Sequence, residues 1–292
     1  MHYKRMPQPP FNPLDHPVAL ERPLWLALSA WAEHLPFAMF LVSAARPRAI
    51  VELGTYHGTS YCGFCQAVES LGLDTRCYAV DTWEGDAHAG AIESSVLGRL
   101  REHHDPLYGG FSTLMQMTFD EARERFDDGS IDLLHIDGFH SYEAVSHDFE
   151  TWLPKMSRRG IVLFHDTDVR HEGFGVWKFW AEVAERYPSF EFRHGFGLGV
   201  LAVGSEIPEA ARFLFDADDA ATEIIRGYFE SAGAGTEAQR KVVEQAERIE
   251  LLETYEKVIR DSLALSTYRV LKLEGVAGLK RRIDERRSGR QK

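Results

Sequence analysis

The sequence predicts an α/β fold: a mostly parallel sheet whose last strand is antiparallel, with helices on both faces, N-terminal helices before it and a helical tail after it. Three observations carry that reading. Short apolar runs alternate with helix-spaced segments from Ala49 to Arg186, and strands separated by helices imply parallel pairing with both faces covered. The runs end, one after another, on ionisable residues: Glu52, Asp81, Asp137 and the pair His165-Asp166. A glycine-bearing turn, Gly54 to Gly58, joins the first run to the helix that follows it.

Residues 1–47 read as an arm followed by helices. Pro7, Pro9, Pro10, Pro13 and Pro17 forbid a regular helix at the start. Beyond Pro23, the residues Leu24, Trp25, Leu28, Trp31, Leu35, Phe37, Phe40 and Leu41 recur at helical spacing, interrupted at Pro36. The range 48–204 holds the sheet. Ala49–Leu53 is a first strand, Thr59–Leu71 a helix, and Arg76–Val80 a second strand ending at Asp81. Residues 84–110 are polar and glycine-bearing, and read as a long insertion of the kind that forms lids and binding loops. Ser112–Met117 is a third strand, Phe119–Phe126 a helix, Asp127–Ser130 a turn, and Ile131–Ile136 a fourth strand ending at Asp137. Tyr142–Leu153 is a helix stopped near Pro154, Gly160–Phe164 a fifth strand, and Phe174–Arg186 a helix. Phe190–Arg193 and Leu198–Val203 close the sheet around the turn His194-Gly195-Phe196-Gly197.

The range 205–292 has another character. From Glu237 to Leu265 a charged segment carries Val242, Ala246, Ile249, Leu252, Ile259 and Leu263 close to a helical stripe, which fits a short coiled coil, a self-pairing helix or a helix lying back on the domain. Its last part, from residue 268, sets nine Lys/Arg against three acids. A solvated terminal helix explains that balance; contact with an anionic partner or a membrane surface is the sharper expectation.

Composition excludes several classes. The net charge of −12 opposes general nucleic-acid binding, which needs a basic surface to neutralise phosphates. No apolar run reaches the roughly 18 residues of a membrane span, and the proline-rich start has no signal core, so a soluble, cytoplasmic chain is expected. Cys62 and Cys65 make a CxxC, but YCGFCQAV reads as a helix face with small buried thiols. With Cys77 as an odd third cysteine, a reducing compartment fits better than a disulfide framework.

Function is written at the strand ends, where open parallel sheets bind ligands. Gly54 lets the chain turn off the first strand and lets a ligand approach the backbone. Gly58 allows a tight helix start, and Thr59 and Ser60 can cap it. Amide N–H groups there favour an anionic group. The spacing is GxxxG, neither the dinucleotide GxGxxG nor a phosphate-cradling GxxxxGK[ST]. It suits a smaller ligand with an amino-acid end, such as S-adenosylmethionine. Asp81, ending the second strand, is placed to accept hydrogen bonds from ribose hydroxyls.

At the other half of the sheet, Asp137 and His140 leave the fourth strand, and His165 and Asp166 the fifth. Neighbouring strands lie about 4.8 Å apart, so these four side chains could converge. Carboxylate oxygens suit Mg²⁺ or Mn²⁺, and imidazole shifts the preference toward transition metals. A divalent cation there would lower the pKa of a bound hydroxyl, and His140 would take its proton as general base. Asp137 could instead cap the next helix, and His135 reads as a packed core histidine.

The segments VELGTYHGTSYCGFC, AVDTWEGDAHAG, DGSIDLLHIDGFHSYEAVSHDFETWLP and GIVLFHDT together resemble bacterial class I methyltransferases associated with glycan assembly. These are similar to metal-dependent sugar O-methyltransferases. The resemblance spans about residues 48–203 and implies a Rossmann-like class I methyltransferase sheet. It implies that Glu52, Gly54, Thr55 and Ser60 hold the methionine end of S-adenosylmethionine, and that Asp81 holds the ribose; Gly58 and Thr59, in the same turn, are expected to bind the cofactor with them. Trp83 and Asp137 would border the cofactor. Asp137, His140, His165 and Asp166 would hold Mg²⁺ or another divalent cation, with His140 and Asp166 catalytic. The acceptor would be a sugar or glycan hydroxyl, with Trp83, Glu84, Asp86 and Tyr108 available to meet it. The sequence departs from that pattern just after Asp137, where Phe139 and His140 stand in place of a second acid. Two other readings stay open: a glycosyltransferase using Asp166-Thr167-Asp168 as a DxD motif, and a non-catalytic scaffold with a degenerate nucleoside pocket.

Overall fold

The computed structural model describes residues 11–27, 29–86, 90–91 and 95–288. The chain forms two compact units, Met1–Arg240 and Lys241–Lys292. The strands are β1 Ala49–Leu53, β2 Arg76–Asp81, β3 Gly85–Asp86, β4 Gly90–Ala91, β5 Ser112–Gln116, β6 Ile131–Ile136, β7 Met156–His165, β8 Ser189–Phe192 and β9 Leu198–Ala202. The α-helices are α1 Leu35–Ala45, α2 Thr59–Ser70, α3 Ser95–Tyr108, α4 Phe119–Arg123, α5 Tyr142–Trp152, α6 Val176–Ala184, α7 Arg212–Phe215 and α8 Asp219–Ser288.

Seven strands make one sheet in the order β5-β2-β1-β6-β7-β9-β8. The five strands from β5 to β7 are parallel, and β9 runs antiparallel to both of its neighbours. Strand order reverses between β1 and β6, so a crevice opens there beyond the carboxyl ends. The central strands are buried on both faces, which explains why they read as continuous apolar runs.

Each face has its own core. On one lie α1, α2 and α3, together with Ala211, Leu214, Ile225 and Phe229 from beyond the sheet. On the other, Phe149 and Trp152 of α5 and Phe179 and Val183 of α6 pack on β6 and β7. Helix α1 (LPFAMFLVSAA) is apolar all round and correspondingly buried on nearly every side. Pro36 falls within its first turn, where a missing N–H costs nothing, so it starts the helix rather than interrupting it.

Three expectations need correction. The insertion at 84–110 is not an irregular lid: most of it is α3. Val96, Leu100, His104 and Tyr108 recur every four residues and are buried, giving α3 an inward face that the polar residues between them hide. The boundary at 204 is also displaced. Residues 205–240 belong to the first unit, because Leu214, Ile225 and Phe229 join Phe37, Phe40 and Phe192 in its core. The strand expected at 160–164 begins earlier, at Met156. An irregular register between Ile131 and Leu133 admits the polar Ser157–Arg159 stretch.

The second unit, Lys241–Lys292, is helical where described, with a break at Gly275 (φ 66°, ψ −171°). Val242, Ile249 and Leu252 of the expected stripe are exposed. Arg281 and Arg282 both pair with Glu274, at 3.0 and 2.5 Å. No helix among the described residues is long and apolar enough to cross a membrane.

Candidate active site

The glycine turn and Asp81 meet directly. The Thr55 and Tyr56 amides donate to Asp81 Oδ2 at 2.9 and 2.8 Å, and the Trp83 amide donates to Oδ1 at 2.7 Å. One carboxylate therefore fixes both loops. A carboxylate offers about four lone-pair positions, so room remains for a hydroxyl donor. Gly54 is required twice over: its φ is +88°, and a Cβ there would fall 2.1 Å from the Asp137 carbonyl oxygen. The turn after β1 thus packs against the turn after β6. Gly58, with φ 78°, precedes α2, whose first turn has no side-chain cap. Thr59 and Ser60 do not cap it. The Thr59 hydroxyl instead donates to the Ala27 carbonyl at 3.4 Å, and the amides of the first turn have no side-chain cap. Thr55 Oγ1 is buried there without a hydrogen-bond partner.

Glu52 lies beneath this turn, fully buried, and accepts from His135 Nδ1 at 2.8 Å. Burial pushes its carboxyl up, and hydrogen bonds from His135 and Ser60 draw it back. Trp83 is buried, and its indole N–H donates to the Tyr56 carbonyl at 2.9 Å. It therefore acts as packing that holds the turn. Tyr108, considered for the acceptor, is also buried. The Asp86 side chain lies outside the described residues.

At the other half, Asp137, His140 and Asp166 each offer one ligand atom, all within 4.8 Å of one another. His140 Nε2 stands 2.9 Å from Asp166 Oδ2 and 3.8 Å from Asp137 Oδ1. His165 Nδ1 stands 3.3 Å from Asp137 and 3.5 Å from Asp166. Its Nε2 donates to the Gly195 carbonyl at 3.1 Å, which fixes the ring; His165 is not one of the three residues whose ligand atoms converge. The His140 ring stacks on Phe174 at 4.7 Å. Ser141, not Asp137, caps α5, which leaves the Asp137 carboxylate for the cluster.

Mutual charge dominates here. Burial alone would raise Asp137, yet His165 and His140 hold it far below the ordinary carboxylate range. Burial alone would lower both imidazoles, yet the two carboxylates raise His140 to about 10 and His165 to about 9. Asp137, His140 and Asp166, with His165 beside the two acids, fit a divalent cation, whose charge would take the place of the protons.

Strain gathers around the same crevice. The non-glycine residues with positive φ are Arg46, which caps α1, and Tyr56, Trp83, Asp166 and Phe196, all in loops at this edge. Such conformations cluster at functional sites. Sequence reading missed Phe196, which is exposed; it expected helix around Trp31 but not that the 3-10 helix Ala30–His34 reaches His135 and His165. The turn HGFG signalled the first; only Trp31 and His34 could have signalled the second.

The cysteines are free and buried, as the helix-face reading expected. Burial pushes the Cys62 and Cys77 thiols up, away from the reactive thiolate.

The sheet is Rossmann-like, with a glycine turn after β1 and an acid ending β2, the arrangement that the sequence resemblance implies. Residues 51–167 match the model of the family described as Methyltransferase domain. An uncharacterized protein of Sinorhizobium fredii, y4gI, is 52% identical over 194 residues, 65% of this chain and 21% of that protein. The chain thus spans about a fifth of that relative's length. Solved structures with some likeness include the SAH-bound methyltransferase PaMTH1 of Podospora anserina (15% identity, 58% of this chain and 77% of that one, TM-score 0.45). A putative caffeoyl-CoA O-methyltransferase of Staphylococcus aureus is similar at 14% identity, 57% and 81% coverage and TM-score 0.45. The O-methyltransferase TomG of Streptomyces achromogenes is similar at 17% identity, 61% and 82% coverage and TM-score 0.42.

Proposed function

We propose that the chain transfers a methyl group from S-adenosylmethionine to a hydroxyl of a sugar or glycan, with a divalent cation held by Asp137, His140, His165 and Asp166. The observation that carries this is the abutment of two differently built half-sites: Gly54 of the first touches Asp137 of the second. The bare amides of α2 and the buried Thr55 hydroxyl suit a carboxylate and its neighbours, and Asp81 suits a ribose.

The cofactor supplies a methyl group on a sulfonium, already a good leaving group. The protein's task is then alignment and water exclusion, a proximity effect of roughly 7–11 kcal/mol at the limit. A divalent cation would supply Lewis acidity to the acceptor hydroxyl. Asp137 and Asp166 place negative charge around the acceptor, and His165 is turned toward them by Gly195. His140 Nε2 has one lone pair to offer, so it serves either that cation or the hydroxyl proton; with the cation on Asp137 and Asp166 its charge would displace the imidazole proton and leave Nε2 to act as base, with Phe174 holding the ring.

Within Asp166-Thr167-Asp168, Asp166 joins His140 while Asp168 pairs with Arg170 at 3.3 Å, so the two acids serve different partners. Isothermal titration with S-adenosylhomocysteine and with a nucleotide sugar separates the readings. Binding of the first alone supports methyl transfer. Binding of the second alone favours glycosyl transfer, and binding of neither favours a scaffold. The exposed stripe and basic end of Lys241–Lys292 suit a second copy or an anionic surface. Sedimentation and vesicle binding of the full chain test those two.

A further inference from the structure

The crevice lies beyond the carboxyl ends of the strands. The opposite rim, where β2, β1 and β6 begin side by side, carries a second hollow. It measures about 380 Å³, within the range of small-ligand sites. Three arginines line it from three places in the chain: Arg48 just before β1, Arg76 at the first position of β2, and Arg125 just after α4. In a chain of net charge −12, three cations around one hollow are a local reversal of sign. Asp127 is the acid among the lining residues.

The arginine donors are only partly used. The buried Asp132 accepts from the Arg48 amide, Nε and Nη2 at 2.8, 3.0 and 3.0 Å, and from the Ser157 hydroxyl. A guanidinium has five N–H donors, so Arg48 keeps donors to spare on a side chain that is 66% exposed. Asp132 acts as a brace that sets the direction of the fork. Arg76 Nη1 donates to the Gly110 carbonyl at 3.3 Å, a neutral partner. Arg125 forms no ion pair among the described residues. Ser130, just before β6, lines the same hollow, and its hydroxyl is buried without a hydrogen-bond partner. Leaving a buried hydroxyl unpaired is costly, and a ligand oxygen would relieve it.

One wall is aromatic: Tyr78 and Phe126 meet edge to face with centroids 5.0 Å apart. Guanidinium forks match phosphate oxygens in pairs. A bare phosphate, however, would use neither the rings nor Asp127, since an ionised carboxylate only accepts. A hydroxyl-bearing ring joined to the phosphate uses both.

We propose that this hollow is a second ligand site, separate from the crevice, for a small phosphate monoester with a hydroxylated ring, a sugar phosphate in chemical class. The arginines take the phosphate, and the Ser130 hydroxyl donates to one of its oxygens. Tyr78 and Phe126 meet the ring face, and Asp127 accepts from a ring hydroxyl. The site does not depend on the methyltransferase reading.

The test is titration calorimetry on the full chain at fixed ionic strength, with glucose 1-phosphate, inorganic phosphate and glucose as probes. Glucose 1-phosphate should bind saturably, inorganic phosphate about ten-fold more weakly, and glucose not at all. Arg76→Gln and Arg125→Gln change exposed side chains and should leave the melting temperature unchanged. Each should weaken the ester by about ten-fold or more, the effect of losing a hydrogen bond to a charged group. No saturable binding of either phosphate probe would overturn the site, as would undiminished affinity in both arginine variants. Equal affinity for the ester and inorganic phosphate would mean an adventitious ion only and would sink the sugar phosphate assignment. Binding to vesicles containing phosphatidic acid, with none of glucose 1-phosphate, would overturn the small-molecule ligand in favour of a lipid headgroup.

Discussion

The two halves of the crevice solve opposite problems. At β1 and β2 the working groups are backbone amides, and the half-buried acid Asp81 is already held by three of them. At β6 and β7 the working groups are side chains that hold each other through charge: two carboxylates and two imidazoles with strongly displaced proton affinities. The first half is a finished mould. The second is a balanced cluster whose state depends on what enters it. Under the proposed function, the contrast assigns rigidity to the backbone that would hold the cofactor and chemistry to the side chains that would meet the acceptor.

The widest separation between the halves should come from Asp166→Ala. It removes a carboxylate from the three-residue cluster without touching the glycine turn. Binding of Mn²⁺, followed by electron paramagnetic resonance, should be lost. Methyl transfer to an accepting sugar should fall by roughly 10²–10⁴, the range of a removed acid–base partner, while affinity for S-adenosylhomocysteine stays within about two-fold. Retained Mn²⁺ binding and full turnover would dissolve the proposed metal centre.

Asp81→Ala makes the reverse cut. It removes the acceptor for three amides, so both loops lose their anchor as well as the ribose its partner. Hydrogen bonds to a charged group contribute about 1.5–3 kcal/mol each, so cofactor affinity should drop by on the order of 100-fold or more. Titration calorimetry checks this. Mn²⁺ binding should survive, and its loss would show that the halves are not separable.

How legible this was from sequence follows from the same division. The strand ends Glu52, Asp81, Asp137 and Asp166 were readable because acids interrupt apolar runs. The turn was readable because only glycine tolerates φ near +88° at the position of Gly54. What escaped was everything set by long-range packing. Helix α3 was hidden because its buried face uses His104 and Tyr108, which look polar in a string. An aromatic beside a strand-end acid is equally a ligand contact or a brace in a string; only the fold shows that the Trp83 indole bonds to Tyr56 and braces the turn. Trp31 lies 104 positions from His135, and no local pattern links them.

Asp148 gives a third, smaller test, directed at the ground beneath the second half. It sits on α5 with its carboxyl near Gly138, buried, and burial with the nearby Asp120 raises it to about 7, against a lowering by His147. The folded state therefore binds this proton more tightly than the unfolded chain does. Its contribution is most favourable below the ordinary carboxylate pKa and declines as pH rises to about 7, then levels off. At 1.36 kcal/mol per unit the full penalty is on the order of 4 kcal/mol. Asp148→Asn removes the titration, so its stability advantage in urea should widen between pH 5.5 and pH 8 by about 2 kcal/mol. A constant difference across that range would mean the carboxyl is not held protonated by the fold.

The smallest expected effect concerns Phe196, where the two halves meet the acceptor side. The residue holds φ 70° between Gly195 and Gly197, while its ring stays exposed. Its carbonyl accepts from the Asp168 amide at 2.9 Å, so the strained turn is pinned from the Asp166 loop. A left-handed non-glycine residue costs about 1–2 kcal/mol, and glycine regains most of that while losing up to about 1 kcal/mol through unfolded-state entropy. Phe196→Gly should therefore raise the melting temperature by a few degrees at most, whereas Phe196→Ala, which keeps the strain and loses only an exposed ring, should leave it unchanged or slightly lower. Paired melting curves decide this. If alanine stabilises as much as glycine, the backbone there is unstrained and the exposed ring needs another explanation. If glycine alone stabilises, the protein sacrifices stability to hold an aromatic ring in solvent beside its charged cluster, which is where an acceptor would first be met.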